Sequence, residues 1–396
     1  MTLLALNAGS TSIKLALYER DMRQLWSASV SGLASPNARL LTREPNGDAE
    51  TQELGPLQFR SATELLLGAL AQRWPMLKIE AVGHRVVHGG ELPADSVTID
   101  AQTLAAITHW SSLAPLHQPL NIAAINAARQ AFPGALHVAC FDTGFHRTLP
   151  ARASLVAVPE RFRALGVRRY GFHGLSYESV LQQLAADGEP VLSERVIAAH
   201  LGGGSSLCAI ARGRSVETSM GVTPLSGVPM TTRCGDLDPG ALLFLLQSGE
   251  MDVRQLQAAL YEESGLKALT GSSGDMKLLL DISAHSSEAR KAVDYFCYHV
   301  RRHMGALAAA MEGVDRIVFT GGIGANAAFV RQAVCDGLRF LGVDLDAEAN
   351  LANASSVHTS HSAIKVNVLQ TDEESILARK AAAHLDGSGS HETKGP

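Results

Sequence analysis

The sequence predicts an α/β protein built from two related domains. With 396 residues, the chain is longer than a single hydrophobic core usually supports, which favours two domains. Apolar segments of strand length alternate with helical segments, as they do in α/β folds. One pattern, an apolar strand, a short Gly/Ser break and a second apolar strand, occurs at residues 3–17 and again at residues 196–210. This repetition indicates an internal duplication, with one such hairpin in each domain.

The first half of the chain begins with this hairpin. Leu3–Leu6 and Ile13–Leu17 are the predicted strands, and Asn7–Ser12 separates them. Residues 31–56 are rich in Pro, Asn and Gly, which is typical of turns and short surface strands. The remaining predicted elements of this half are a helix at Ser61–Arg73, a short strand from Glu80 leading into the Gly89-Gly90 turn, a helix at Pro119–Phe132 and a strand at Leu136–Phe141.

The second half repeats the scheme. Val196–Leu201 and Leu207–Ile210 are predicted strands on either side of the Gly202–Ser206 break. A long helix follows, because one apolar stripe recurs at helical spacing; its members are Val293, Phe296, Val300, Met304, Leu307 and Met311. The strand Arg316–Thr320 then ends in a glycine turn at Gly321–Gly324, and the Gly/Ser-rich tail at 386–396 is expected to be disordered.

Composition and charge exclude several classes of protein. Hydrophobic residues make up 46% of the chain and charged residues 18%, as in folded globular proteins. A net charge of -5 gives no basic field that would attract nucleic acid or an anionic membrane. The five cysteines form no C-x-x-C pair, and neither a signal peptide nor an apolar run of membrane-spanning length is evident. We therefore expect a cytoplasmic protein with reduced thiols that binds neither nucleic acid nor membranes.

Three glycine-rich turns are candidate phosphate sites. They lie at Gly9-Ser10, Gly202–Ser206 and Gly321–Gly324, and turns of this kind expose backbone N–H groups that can bind phosphate oxygens. A single glycine turn is weak support, but two of these three occupy duplicated positions. None has the G-x-x-x-x-G-K-[ST] spacing of a P-loop or the G-x-G-x-x-G spacing of a dinucleotide site, so a Rossmann site is disfavoured.

The chain resembles the acetate kinase family in a series of motifs that follow one another in the family's order. They are N-A-G-S-T-S-I-K at Asn7–Lys14, G-H-R-V-V-H-G-G at Gly83–Gly90, A-P-L-H-Q-P at Ala114–Pro119, F-D-T-G-F-H at Phe141–His146, R-R-Y-G-F-H-G at Arg168–Gly174, H-L-G-G-G-S-S at His200–Ser206, T-P-L-S-G-V-P-M-T-T-R-C-G-D-L-D-P at Thr223–Pro239, F-T-G-G-I-G-A-N at Phe319–Asn326 and T-D-E-E at Thr371–Glu374. The resemblance runs from Leu4 to about Lys380.

This resemblance implies a specific architecture. The fold would consist of two duplicated ribonuclease H-like (actin-like ATPase) domains around a central cleft. Residues 1–147 would form the first domain, completed by a C-terminal helix at 374–385, and residues 148–373 would form the nucleotide-binding second domain. The family usually forms homodimers, so a homodimer is expected.

The resemblance also implies the reaction. Acetate kinases transfer a phosphoryl group reversibly from ATP to the carboxylate of acetate, giving ADP and acetyl phosphate, and require Mg²⁺ (or Mn²⁺). The family resemblance also implies metabolic coupling to a phosphate acetyltransferase. Such a transfer needs positive charge around the phosphoryl oxygens and reactants held in line, and little covalent work from the protein.

Four residues match the family's catalytic positions. Arg85 and Arg233 would contact the phosphoryl group, since planar guanidinium donors suit its oxygens; the alternative for each is a structural ion pair with Asp142 or Asp236. His173 would hydrogen-bond the phosphoryl group in flight. Asp142 would position Mg²⁺ or the acyl substrate, because a carboxylate nucleophile is already ionised and hardly requires a base.

The opening hairpin and the C-terminal acid would hold the metal and the phosphates. By resemblance, Asn7 and Glu373 are metal ligands, which agrees with the few protein oxygens that Mg²⁺ usually takes. Ser10 and Ser12 would line the phosphate path, and Lys14 would place a charge near it. The structural alternatives are a polar turn with a solvated lysine and, for Glu373, a favourable acid in the first turn of a helix.

Two further sets of residues match the family's binding sites. A small apolar pocket for the acyl methyl group would be formed, beside Arg85, by Val87, Leu116, Phe172 and Pro224. A pocket of this size discriminates by only about 1–3 kcal/mol per methylene, so acetate and propionate are hard to separate from sequence. The nucleotide would meet His200, Gly202, Gly203, Gly204, Asp275, Met276, Lys277, Gly322, Ile323, Gly324, Ala325 and Asn326.

Three of the nucleotide-side positions depart from the family pattern. Gly203 stands where the family usually has Asn, Ala325 where it has Glu, and Lys277 where it has Arg. The hypothesis is that catalysis is retained while nucleotide affinity or the choice of phosphoryl donor has changed. Alternative functions are a propionate or butyrate kinase, a non-catalytic ATP-dependent switch on the same fold, and an actin-like polymer.

Overall fold

The computed structural model describes residues 2–33 and 35–387. Its strands are β1 (Thr2–Ala8), β2 (Ser12–Glu19), β3 (Gln24–Ser31), β4 (Ala38–Arg43), β5 (Ala49–Gly55), β6 (Ile79–Val86), β7 (Ser96–Thr98), β8 (Leu136–Phe141), β9 (Arg195–His200), β10 (Ser206–Ala211), β11 (Arg214–Thr218), β12 (Arg316–Thr320) and β13 (Lys365–Val368).

The helices connect and cover these strands. They are α1 (Phe59–Arg73), α2 (Ala101–His109), α3 (Gln118–Ala131), α4 (Ala151–Ser154), α5 (Glu160–Arg163), α6 (Gly174–Ala186), α7 (Pro239–Gln247), α8 (Val253–Ala258), α9 (Gly265–Thr270), α10 (Met276–Ile282), α11 (Ser287–Ala310), α12 (Gly321–Asn326), α13 (Ala328–Asp336), α14 (Ala347–Leu351) and α15 (Glu373–Leu385). Single 3₁₀ turns lie at Trp110–Leu113, Gly144–Thr148 and Arg339–Leu341, and a π-helical turn lies at Ala259–Glu263.

The described chain divides into two compact units. The first takes in residues 2–147, Phe172–Ser179 and 372–387, and the second takes in Thr148–Gly171 and Val180–Thr371. Residues 172–179, which the sequence analysis assigned to the second domain, group with the first unit. The domain assignment from sequence stays a prediction. Of the tail predicted to be disordered, residues 388–396 lie outside the described part of the chain.

Each unit contains one mixed sheet, and the two sheets share a strand order. The first sheet runs β5-β4-β3-β2-β1-β6-β8-β7, and the second runs β11-β10-β9-β12-β13. In both, an antiparallel hairpin (β1/β2 or β9/β10) is followed by a strand parallel to its first member (β6 or β12). The stretch β3-β2-β1-β6-β8 thus has the same order as the whole second sheet. This correspondence confirms the predicted α/β class and the internal duplication.

The first sheet is buried on both faces, so its central strands carry continuous apolar runs. In β1, Leu4 and Leu6 pack into the cluster that includes residues of α1 and α3, whereas Leu3 and Ala5 pack against Leu377 and other residues of α15. Close packing requires a glycine on β6, because a Cβ atom at Gly83 would lie 2.3 Å from the Leu377 carbonyl oxygen. Helix α15 is thereby held directly on the sheet.

The core of the second unit is organised by α11, the long helix that the apolar stripe predicted. All six residues of that stripe are buried in one hydrophobic cluster, together with residues of β9, β12 and α13. The stripe therefore faces the sheet, as its helical spacing indicates. Within the described residues, no helix combines the length and apolar character that crossing a membrane would require.

Candidate active site

Two parallel neighbouring strands, β6 and β8, place Arg85 and Asp142 side by side. Asp142 directly follows β8 and donates its backbone N–H to the Val86 carbonyl at 3.0 Å. Arg85 Nε lies 3.0 Å from Asp142 Oδ1, and Nη2 lies 2.7 Å from Oδ2, which makes a bidentate ion pair. Only 2% of the Asp142 side chain and 15% of the Arg85 side chain are exposed. The structural ion pair considered for Arg85 in the sequence analysis is therefore present.

Burial and charge act in opposite directions on this pair. Burial alone would lower the pKa of Arg85, but the charges of Asp142 and Glu373 outweigh it and raise that pKa above its usual value. Burial raises the pKa of Asp142, and Arg85 opposes the rise. A guanidinium stays protonated in proteins, so Arg85 is a fixed positive charge. Asp142 orients that charge, while a direct role for Asp142 toward metal or substrate stays a prediction.

Asn7, at the end of β1, joins the same cluster. Its Nδ2 donates to Glu373 Oε2 at 2.9 Å and to Glu374 Oε1 at 2.8 Å, and its Oδ1 accepts from Arg85 Nη1 at 3.2 Å. The two glutamates are the first residues of α15, which begins after the capping residue Asp372. Asn7 and Glu373, both predicted as metal ligands, are thus neighbours at the carboxyl-terminal edge of the first sheet.

Glu374 is a member of this cluster that the sequence analysis missed. Lys14 lies opposite Asn7 in the β1/β2 hairpin, and its Nζ is 3.5 Å from Glu374 Oε1. The charge of Glu374 is the main cause that raises the pKa of Lys14. Burial raises the pKa of Glu374, Lys14 opposes it and Glu373 reinforces it. The available signal was the second Glu of T-D-E-E, but adjacent helix positions do not usually face one another.

The loop of the opening hairpin spans Gly9–Thr11. Gly9 N–H donates to the Ser12 carbonyl at 2.8 Å, which closes the turn. Ser10 is exposed and Ser12 is half-buried. That the two hydroxyls line the phosphate path stays a prediction. The loop that carries them is held in shape by this backbone hydrogen bond.

His173 occupies an unusual backbone conformation beside Asp142. Its φ of +60° lies in the left-handed region, which non-glycine residues seldom adopt. The next residue, Gly174, donates its N–H to the Asp142 carbonyl at 2.8 Å, and a Cβ atom there would lie 2.3 Å from the same oxygen. His146 Nε2 lies 2.9 Å from the Phe172 carbonyl. The strained residue is therefore fixed on both sides, as functional residues often are.

The three acyl-pocket residues of the first unit differ in burial. Val87 and Phe172 are 3% and 1% exposed, and Leu116 is half-buried. The loop after β6 is anchored by α3, because Val87 N–H donates to Asn121 Oδ1 at 3.0 Å and His88 N–H donates to Gln118 Oε1 at 3.1 Å. Buried amide side chains therefore fix the position of Val87 relative to Arg85.

In the second unit, Arg233 lies in a loop with the fourth predicted pocket residue, Pro224. Arg233 is 8% exposed, and its Nη1 donates to the Pro224 carbonyl at 3.1 Å. The alternative ion-pair partner considered for it, Asp236, accepts from Gly227 N–H at 2.8 Å and lies 3.3 Å from His303 Nε2. Asp236 is thus engaged with the loop backbone and with α11.

The two glycine segments of the second unit pack against each other. His200 ends β9, and the loop with Gly202, Gly203 and Gly204 follows it. The Leu201 carbonyl accepts from Ile323 N–H at 2.8 Å and from Gly324 N–H at 3.1 Å. The prediction of a glycine turn at 321–324 is wrong, because these residues begin the short helix α12. Two of its N–H groups are bonded within the protein and are not exposed for phosphate.

The other predicted nucleotide residues lie in several environments. Asp275 caps α10 by accepting from Leu278 N–H at 2.9 Å, Met276 is buried in the core, and Lys277 is exposed. Ala325 is 1% exposed and also belongs to the apolar cluster. Two of the predicted nucleotide residues lie close together at the start and end of α12. Asn326 Nδ2 donates to the Gly322 carbonyl at 2.9 Å, and a Cβ atom at Gly322 would meet nothing within 4 Å. Their contacts with nucleotide stay predictions.

Comparisons with known proteins agree with the motifs. The model of the acetokinase family matches residues 2–379. An acetate kinase of Methylocella silvestris is 44% identical, with 97% of this chain and 98% of that protein covered. Among solved structures, a propionate kinase from Francisella tularensis is similar with a TM-score of 0.87 and 33% identity, over 96% of this chain and 98% of that one.

A second solved structure supports the same assignment. The acetate kinase of Porphyromonas gingivalis has a TM-score of 0.83 and 34% identity, over 97% of this chain and 99% of that one. The fold of this chain is therefore the fold of these kinases over nearly its full length. The residues of the Arg85 cluster lie in motifs within the matched range. This chain belongs to the acetokinase family.

Proposed function

We propose that this protein is an acetate kinase that transfers a phosphoryl group reversibly from ATP to the carboxylate of acetate, giving ADP and acetyl phosphate. The observation that carries the proposal is the polar cluster at the carboxyl-terminal edge of the first sheet, where Arg85 and Asp142 form their bidentate pair beside Asn7 and Glu373. Ligands of open α/β sheets bind at this edge. Membership of the acetokinase family supports the same reaction.

The chemistry asks mainly for fixed charge, which the cluster supplies. The acetate carboxylate is ionised near neutral pH, so the protein has to orient it and hold it against repulsion from the phosphates. Arg85 serves this purpose because Asp142 binds its Nε and Nη2, which fixes the plane of the guanidinium. Arg233 is the second proposed cation, and His173 the proposed donor to the transferred group. Preorganised charges of this kind need no rearrangement during the reaction.

A divalent metal is implied by the family, and Mg²⁺ is its proposed identity. Glu373 and Glu374 would supply carboxylate oxygens, whereas Asn7, the other predicted ligand, directs its Nδ2 at both glutamates and its Oδ1 at Arg85. Burial and Glu373 raise the pKa of Glu374, a repulsion that a cation would relieve. Among the described residues, no three His, Cys, Asp or Glu side chains are grouped for metal binding. Mg²⁺ commonly binds one or two carboxylates, waters and substrate phosphates. When bound, it would neutralise charge on the phosphoryl oxygens.

The test is acyl hydroxamate formation by the purified protein with ATP and Mg²⁺, offered acetate, propionate, butyrate or no acid. We expect acyl phosphate formation with the highest kcat/KM for acetate. Arg85→Lys, which cannot keep the bidentate geometry, should lose most activity, whereas the exposed Arg20→Lys should keep it. ATP hydrolysis without any acyl hydroxamate would contradict the proposal and favour a nucleotide switch.

A propionate kinase is the second candidate, because the Francisella tularensis structure is a propionate kinase and is similar over 96% of this chain. The reaction type is the same and only the acyl group differs. A kcat/KM for propionate above that for acetate in the same assay would decide for this candidate.

We propose further that the departures on the nucleotide side alter the use of the phosphoryl donor. Gly203 can carry a side chain, because the nearest atom to an added Cβ would be Thr231 Oγ1 at 3.8 Å. Gly203→Asn should therefore fold and change the KM for ATP, GTP or pyrophosphate. The matched control is Gly134→Asn in an exposed turn with open space around it. An unchanged KM for every donor would contradict this proposal.

A homodimer is supported by the surface of α7. This helix has the sequence P-G-A-L-L-F-L-L-Q, yet none of its residues is buried, and Leu243 and Phe244 are 59% and 70% exposed. Apolar surface of this kind commonly marks an interface. Sedimentation velocity should show a dimer that Phe244→Glu converts to monomer, while Phe340→Glu, at a residue 78% exposed, leaves it intact. A monomeric wild type would contradict the proposal.

Coupling to a phosphate acetyltransferase would follow from an acetyl phosphate product.

A further inference from the structure

The loop that carries Arg233 is closed at its base by Asp236. Gly227 N–H donates to Asp236 Oδ1 at 2.8 Å, and Asp236 N–H donates to the Gly227 carbonyl at 2.9 Å. Near the tip, Met230 N–H donates to the Arg233 carbonyl at 3.1 Å. Gly235 has a φ of +73°, and a Cβ atom there would lie 2.7 Å from the Gly227 carbonyl oxygen. The backbone from 227 to 236 is therefore a tight closed loop with the side chain of Asp236 as one of its fastenings.

Helix α11 holds Asp236 from outside this loop. His303 Nε2 lies 3.3 Å from Asp236 Oδ2, and Arg302 Nη2 lies 3.7 Å from the same oxygen. Burial raises the pKa of Asp236, but the neighbouring His303 and the hydrogen bond from Gly227 N–H outweigh it and lower that pKa. Asp236 is therefore ionised near neutral pH and can bind both the loop backbone and the helix.

The helix is a rigid support for this contact. Val300 and Met304, on either side of His303 in the sequence, are fully buried in the core of the second unit. The imidazole of His303 is 14% exposed and extends from the part of α11 whose neighbouring residues pack in the core. The contact between His303 and Asp236 therefore holds the Arg233 loop in a fixed position relative to the core.

We propose that Asp236 and His303 are positioning residues for Arg233: together they fix the loop that presents its guanidinium during phosphoryl transfer. The inference rests on the proposed function. Neither residue is required to touch substrate. Loss of the contact should displace Arg233 by a fraction of an ångström while the fold persists, because α11 stays packed in the core.

The experiment is a double-mutant cycle with Asp236→Asn and His303→Ala, read as kcat and KM. The Asp236→Asn side chain keeps an oxygen that can accept from Gly227 N–H but loses the negative charge beside His303. We expect each single variant to lower kcat by about 10- to 100-fold, with little change in the KM for ATP or acetate, as misplacement of a transition-state group does. The double variant should be no worse than the poorer single variant, because both break the same contact.

Two further variants keep the test decisive. His303→Gln retains a donor that can reach Asp236 and should restore kcat to near the wild-type value, whereas the exposed His285→Gln should have no effect. If His303→Ala does not fold, His303→Leu, which also lacks a donor for Asp236 but fills more of the space, takes its place in the cycle. Full kcat in folded Asp236→Asn and His303→Ala, or additive losses, would overturn the inference. A wild type that forms no acyl hydroxamate would instead overturn the proposed function.

Discussion

Arg85 and Asp142 form a bidentate ion pair in the candidate site, with Nη2–Oδ2 at 2.7 Å and Nε–Oδ1 at 3.0 Å. The two residues are 57 positions apart in sequence and meet because β6 and β8 are adjacent parallel strands. Their pairing fixes a positive charge at the strand ends and leaves Arg85 Nη1 directed at Asn7 Oδ1, 3.2 Å away.

Neutralising Asp142 should damage both activity and stability. Asp142→Asn removes the charge that orients Arg85, and we expect kcat/KM to fall by about 100-fold or more. Breaking one side of a buried ion pair also lowers the free energy of unfolding by about 3 kcal/mol. Hydroxamate kinetics and urea denaturation measure the two effects, with the exposed Asp187→Asn as the matched control. Wild-type kcat/KM in Asp142→Asn would show that the pair has no part in the reaction.

A methyl group at Gly83 should separate α15 from the sheet. Because a Cβ atom there would lie 2.3 Å from the Leu377 carbonyl, Gly83→Ala forces backbone apart and should lower the free energy of unfolding by about 2 kcal/mol or more. The affinity for the metal should decrease in the same variant, because Glu373 and Glu374 are the first residues of α15, the helix that the methyl group displaces. Gly305→Ala, inside α11 with open space around it, should instead be neutral or stabilising by up to about 1 kcal/mol. Equal denaturation midpoints for the two variants would refute the packing argument.

Replacing Arg331 should loosen the segment that follows β12. This residue is fully buried, and its guanidinium donates to the Gly324 carbonyl at 2.9 Å and to Asn350 Oδ1 at 2.7 Å. Arg331→Met leaves these acceptors unsatisfied and should lower the free energy of unfolding by about 3 kcal/mol. Thermal denaturation of Arg331→Met and of the exposed Arg339→Met checks this, and similar melting temperatures would count against it.

The paired histidines His84 and His137 should make the fold sensitive to acid. His84 Nε2 lies 2.9 Å from His137 Nδ1, and burial lowers the pKa of both. Both are neutral in either state well above pH 6.5. Below about pH 6.5 the unfolded chain binds protons at these two histidines that the folded chain does not. The free energy of unfolding therefore decreases as the pH is lowered, by up to about 1.4 kcal/mol per pH unit for each proton.

Urea denaturation between pH 5 and 8 measures this slope. His84→Gln should flatten it, because one of the two titrating groups is gone, while the exposed His361→Gln should leave it as in the wild type. A wild-type slope in His84→Gln would mean that other groups cause the acid sensitivity.

The elements that the sequence predicted correctly are those with a strong local signal. β8 lies at Leu136–Phe141 as expected, and the stripe from Val293 to Met311 marks α11 because helical spacing alone places those residues on one face. The helix at 321–326 was missed for the opposite reason. A glycine run is typical of a turn, and the helical arrangement is stabilised by contacts that are distant in sequence, such as the Leu201 carbonyl that accepts from Ile323 and Gly324 N–H.

The sequence by itself determined the α/β class, the duplicated hairpins and the motifs that identify the family, because periodicity, turn residues and residue order are properties of the linear chain. Only the tertiary structure decided which charged side chains contact one another. Parallel pairing of β1, β6 and β8 brings Asn7, Arg85 and Asp142 to one edge, and the packing of α15 on Gly83 adds Glu373 and Glu374. Such contacts depend on strand order and helix packing across hundreds of residues, for which no local pattern carries a signal.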